Sequence, residues 1–151
     1  MKAIVSLGSN IEPRREYLAR AIDALKELDG TDLERVSAVE ETEPVDVPSE
    51  FASQKFLNQV AIFETKLDAL SFSNSMHAIE SQLGRMRTVI HGPRTIDIDL
   101  IAFGDIELND ASLTLPHPRA MERSFVMVPL QKLYLEDRTK AAVIALKEGL
   151  V

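Results

Sequence analysis

The stretch Arg94-Thr95-Ile96-Asp97-Ile98-Asp99-Leu100 alternates without a break and runs on through Ile101-Ala102-Phe103. As a strand it puts Ile96, Ile98 and Leu100 on one face and Asp97 and Asp99 on the other. Residues 56–65 form a second strand, with Phe56, Asn58, Val60 and Ile62 sharing a face. Residues 3–7 are a short apolar run, read as a buried strand, and residues 33–42 form a weaker one. Leu18, Ile22, Leu25 and Leu28 fall at helical spacing. Ser9 or Asn10 is placed to cap that helix, Pro13 lies in its first turn, and Gly30 ends it. Phe72, Met76, Ile79 and Leu83 recur at intervals of four, three and four, so residues 70–83 are a second helix.

The connections complete the outline. Residues 44–54 carry two prolines and form a loop, and residues 84–94 form a polar, basic one. Gly104-Asp105 turns the aspartate strand into a hairpin partner at 106–108. His117-Pro118-Arg119 is a stiff turn, and residues 123–133 and 139–150 read as short helices. Strand, helix, strand, strand, helix, strand and a tail is the order of a split βαβ arrangement. The expected class is α+β: a ferredoxin-like α/β sandwich, an antiparallel sheet with helices packed on one face.

Composition narrows the function classes. The 151 residues suit one domain, 1–151, with a sizeable core. The net charge of −7 argues against non-specific binding to nucleic acid or to an anionic membrane. The chain has no cysteine, which excludes disulfides and thiolate metal sites. No signal segment or membrane-length apolar run is evident, so the expected location is the cytoplasm. A monomer or weak homo-oligomer is expected.

Against that acidic background, Arg85, Arg87, His91, Arg94, His117, Arg119 and Arg123 gather positive charge around the two aspartates. Carboxylates two apart on one strand face repel each other unless a cation lies between them, and hard divalent ions prefer oxygen ligands. Arg94 adds a fork for phosphate oxygens. The pattern points to Mg²⁺ and a polyphosphate. Phe56 and Asn58 offer an aromatic ring beside an amide, suited to a flat heterocycle or to core packing. No Walker-type loop and no Gly-x-Gly-x-x-Gly run is present.

Six segments, taken in order, resemble the 6-hydroxymethyl-7,8-dihydropterin pyrophosphokinase family. They are Leu7-Gly8-Ser9-Asn10, Phe56-Leu57-Asn58, Gly84-Arg85-x-Arg87, Gly92-Pro93-Arg94-x-x-Asp97-Ile98-Asp99, Pro116-His117-Pro118-Arg119 and Arg123-x-Phe125. The resemblance implies transfer of pyrophosphate from ATP to the hydroxymethyl oxygen of a reduced pterin, releasing AMP, in folate biosynthesis. It implies two Mg²⁺ ions on Asp97 and Asp99, with Arg85 and Arg94 stabilising charge during transfer. Glu80, Arg87, Arg94, Thr114, His117 and Arg123 correspond to the ATP site. Phe56 and Phe125 correspond to the aromatic pair around the pterin, with Asn58 and backbone groups near Thr42 and Val45 completing that pocket. The chain has no tryptophan to seal the loop before Gly92, where His91 stands instead. Glu43, His77 and Phe56 stand where the family often has proline, glutamine and tyrosine. Two other readings stay open: a non-catalytic ferredoxin-like module that binds a nucleotide or pterin, and a different metal-dependent phosphoryl or nucleotidyl transferase.

Overall fold

The computed structural model describes residues 1–43, 55–84 and 95–136. The element order is β1 (Lys2–Ser9), α1 (Arg14–Lys26), β2 (Thr31–Val36), β3 (Glu40–Thr42), β4 (Phe56–Thr65), α2 (Ala69–Gln82) and β5 (Asp97–Phe103). Then follow β6 (Leu108–Asn109), β7 (Thr114–Leu115), a short 3-10 turn (Ala120–Glu122) and α3 (Ser124–Glu136). The helix expected at 139–150 lies outside the described residues.

The main sheet has the order β2-β4-β1-β5, with β3 also on β4, and every pairing is antiparallel. This is the ferredoxin-like α+β arrangement the sequence pattern predicts. Apolar side chains fill both faces of its centre. Ala3, Val5 and Leu7 of β1, Ala61 and Phe63 of β4, and Ile98 and Leu100 of β5 pack with Leu18 and Leu25 of α1 and with Phe72, Met76 and Ile79 of α2. Phe72 lies between Phe63 and Phe103, with ring centroids 6.3 and 6.0 Å away. Its complete burial contributes about 1.5–3 kcal/mol over an exposed ring.

The opposite face is a correction to the expected one-sided packing. There Ile4, Val60, Ile62 and Ile101 meet Val126, Leu130 and Leu133 of α3. The same face continues into the end of β1, the start of β4 and the start of β5, which lie side by side.

Local details also differ from the pattern. The segment 33–42 is not one strand. Val36 is opposite Ala61 and Glu40 is opposite Asn58, so four steps on one side match three on the other. Ser37 fills the irregularity, accepting from Val60 N–H through Oγ and donating its own N–H to Val60 O. α1 is preceded by Pro13, and neither Ser9 nor Asn10 caps it. Glu12 instead accepts from Arg14 N–H at 2.9 Å. α1 ends at Lys26, and Gly30, with φ +64°, forms the turn into β2 where a Cβ would press on Lys66. Leu108 pairs with Leu115 in a separate two-stranded sheet, not with β5.

Candidate active site

Register brings the candidate residues together. Gly8 lies opposite Asn58 on one side and opposite Asp97 on the other. Three adjacent strands thus present Asn58, Gly8 and Asp97 in a row on the face that carries α3. The apolar run that marks this strand in the sequence stops at Leu7, yet Gly8 sits within β1, which continues to Ser9. A Cβ there would come within 3.2 Å of Asn58 Oδ1 and 3.5 Å of Phe56 Cδ1. Its missing side chain leaves a shallow cradle beside the amide and the ring. The signal that could have found it was a glycine directly following a buried, largely apolar strand.

Asn58 is buried and its amide donates to Thr42 Oγ1, joining β4 to β3. Phe56, half-buried, pairs with Thr42 across the same two strands. Phe125 is half-buried at the start of α3, and the Arg123 guanidinium lies over its ring, 5.7 Å from the centroid. The same guanidinium reaches Asp99 Oδ2 at 3.4 Å. Arg123 therefore spans the interval between the acid pair and the aromatic ring.

Asp97 and Asp99 are half-buried, and their strand is anchored by Ile96, Ile98 and Leu100 on the far face. Among the described residues no group of three or more acidic, histidine or cysteine side chains is placed to hold a metal alone. Asp97 and Asp99 supply the one or two carboxylates through which Mg²⁺ is commonly held, its shell completed by water and substrate phosphates. His117 hangs on the outer edge of β5 through its backbone N–H, 2.8 Å from Ile101 O. Its Nδ1 accepts from Arg119 N–H at 3.2 Å, so the neutral ring carries its proton on Nε2. Burial first, then Arg123 and Arg119, hold the ring's pKa below its ordinary value, against the opposing pull of Asp97. The ring is therefore neutral at pH 7 and a hydrogen-bond donor through Nε2.

A cavity of about 280 Å³ opens between α2, β5 and the 111–118 segment, lined by His77, Ile98, Asp99, Thr114 and His117 among others. Glu80 is turned into the protein beside it. One carboxylate oxygen accepts from Ile98 N–H at 2.9 Å, and the other meets His77 Nδ1 at 3.1 Å. Arg85, Arg87, Arg94 and Val45 lie outside the described residues, as does His91.

The sheet order, the helices on both faces and the paired acids of β5 place the chain in the class of ferredoxin-like α+β enzymes. The sequence pattern of the family 7,8-dihydro-6-hydroxymethylpterin-pyrophosphokinase (HPPK) matches residues 4–135. The 2-amino-4-hydroxy-6-hydroxymethyldihydropteridine pyrophosphokinase of Bacillus subtilis (strain 168) is 36% identical over 131 residues, 87% of this chain and 77% of the relative. Its namesake from Pseudomonas aeruginosa is 36% identical over 132 residues, 87% of this chain and 80% of the relative. The chain belongs to this family of ATP- and Mg²⁺-dependent diphosphotransferases. In solved structures, an HPPK-DHPS of Plasmodium falciparum with pterin and p-hydrobenzoate superposes with a TM-score of 0.63 at 16% identity, covering 86% of this chain and 40% of that one. An HPPK-DHPS in complex with substrates gives 0.64 at 14%, covering 87% and 40%. At that identity the likeness bears on the fold, and the chain spans about two fifths of each of those longer polypeptides. Among the described residues no helix is long and apolar enough to cross a membrane.

Proposed function

We propose that this chain transfers the terminal pyrophosphoryl unit of ATP to the hydroxymethyl oxygen of 6-hydroxymethyl-7,8-dihydropterin, in folate biosynthesis. The observation that carries the reading is the row Asn58–Gly8–Asp97 across three strands, which sets a flat-ligand seat next to an acid pair. The new bond joins the hydroxymethyl oxygen to the β-phosphorus. The bond from that phosphorus to the α–β bridging oxygen breaks, AMP leaves with the oxygen, and the hydroxyl proton passes to solvent.

The chain's residues have separable tasks. Asp97 and Asp99 would hold the metal, two ions by our reading. When bound, Mg²⁺ offsets phosphate charge and favours ionisation of the attacking hydroxyl. Phe56 and Phe125 flank the pterin ring, with Asn58 and the chain near Thr42 at its polar edge. Arg123 binds phosphate, and the uncharged His117 donates from Nε2 without adding positive charge that burial would oppose. Thr114 lines the nucleotide cavity. The resemblance adds Arg85, Arg87 and Arg94 as phosphate partners and Val45 to the pterin pocket. We take residues 1–151 as one domain, a monomer or weak homo-oligomer working in the cytoplasm beside its ATP supply.

The test is to incubate purified protein with ATP, Mg²⁺ and the hydroxymethyl-dihydropterin and separate the nucleotides by chromatography. AMP should appear in step with pterin diphosphate. ADP as the product, or pterin binding without turnover, would overturn the assignment.

A further inference from the structure

Glu80 is a carboxylate that the reaction just described does not use, yet it is buried to 3% exposure. Burying a charged group is unfavourable unless strong hydrogen bonds offset the loss of water. One such bond comes from a telling place. Asp97, Ile98 and Asp99 lie opposite Gly8, Leu7 and Ser6 in the β1–β5 ladder, so the residue between the two acids is a ladder residue at the sheet's outer strand. The N–H of Ile98 ends on Glu80 Oε2 at 2.9 Å. The other carboxylate oxygen meets His77 Nδ1 at 3.1 Å, one turn back on α2, which fixes the side chain's orientation. Glu80 and its neighbours Phe72, Met76 and Ile79 are all buried against the sheet. The contact therefore runs from a rigid helix to the backbone midpoint of the acid pair.

We infer that Glu80 is a positioning residue, which pins the β5 backbone at Ile98 and so sets the spacing and direction of the Asp97 and Asp99 carboxylates. The inference rests on the metal role assigned above to that pair. It is separate from any contact between Glu80 and nucleotide, because what matters is the reach of the side chain as an acceptor.

Two conservative variants separate reach from charge. Glu80→Asp keeps the charge and withdraws the acceptor by one methylene. Glu80→Gln keeps the length and an acceptor oxygen and loses the charge. Mn²⁺ binding, read from the electron paramagnetic resonance of the unbound ion in the presence of a non-hydrolysable ATP analogue, reports on the pair directly. Thermal melting checks the fold, and kcat and KM for each substrate are measured alongside. For Glu80→Asp, Mn²⁺ affinity should fall about tenfold or more, the usual scale for removing a group that orients metal ligands. Glu80→Gln should lie between that variant and wild type, and the KM for pterin should move in neither. The reverse ranking, or wild-type affinity in Glu80→Asp, overturns the positioning role. Wild-type protein that takes up no Mn²⁺ under these conditions overturns the metal reading beneath it.

Discussion

Asp97 and Gly8 face each other across the β1–β5 ladder, and each works through what it presents at their end of the sheet. Asp97 presents a charged group that no core packing requires. Asp97→Asn should lower AMP formation by about 10²–10³-fold, the scale of losing a group preorganised for transition-state charge. The melting temperature should stay near that of wild type, which calorimetry would check. Gly8 presents space. Gly8→Ala places a methyl 3.2 Å from Asn58 Oδ1, tight enough to push the amide aside. The KM for pterin should rise about tenfold, because small displacements of a substrate-positioning group are costly. The KM for ATP should hold, and steady-state kinetics with each substrate varied in turn would tell the two apart. A larger residue at Gly8 should act the same way, more strongly.

α2 braces the sheet from behind, and its start is set by Asp68, whose carboxylate accepts from Ser71 N–H at 2.8 Å. That backbone hydrogen bond is the main reason its pKa lies below the ordinary value of 3.8. The stabilisation is complete above the ordinary value and is lost as pH falls through the lowered one. Asp68→Asn keeps an acceptor and removes the titration, so wild type should melt higher than the variant at neutral pH. The gap should close on acidification, as melting curves taken down a pH series would show; a gap constant with pH would remove Asp68 from this role. The same element shows what a sequence can and cannot reveal. Its four-three-four spacing was legible because Phe72, Met76 and Ile79 face a single core. β4 was legible from its apolar run at 60–63, and β5 from its alternation at 96–100 running into the apolar residues 101–103. The split of 33–42 was not, since the irregularity depends on Ser37 meeting Val60 of another strand. The pairing of Leu108 with Leu115 was missed for a related reason: a two-residue strand carries too little alternation to name its partner. At the site, the acid pair stood out by its alternation. The inward turn of Glu80 did not, because helical spacing says which face a residue is on and not which backbone group it reaches.

At the scale of the whole molecule, an acidic chain of net charge −7 must hold an anionic nucleotide. Binding should therefore depend on Mg²⁺ throughout. At 100 times its Kd, an ATP analogue with Mg²⁺ should stabilise the protein by about 2.7 kcal/mol, or raise its melting temperature by roughly 5–10 °C. A chelator should remove most of that rise while leaving the melt of the ligand-free protein unchanged; a rise that survives chelation would count against a metal-linked site. The sheet itself has two outer edges. One is broken at Ser37 and lined with Asp32, Glu34, Arg35, Glu40 and Glu41. The other is β5, where Glu80 takes the Ile98 N–H and the His117 backbone takes the Ile101 carbonyl. An unoccupied strand edge is a template on which a foreign chain can align. β5, apolar on its far face, would be a receptive one. Those two contacts occupy it at Ile98 and Ile101, so Glu80 and the backbone of His117 also cover part of that edge. Glu80→Ala, which removes one of those contacts, should aggregate more readily than wild type at equal protein concentration, as light scattering would show.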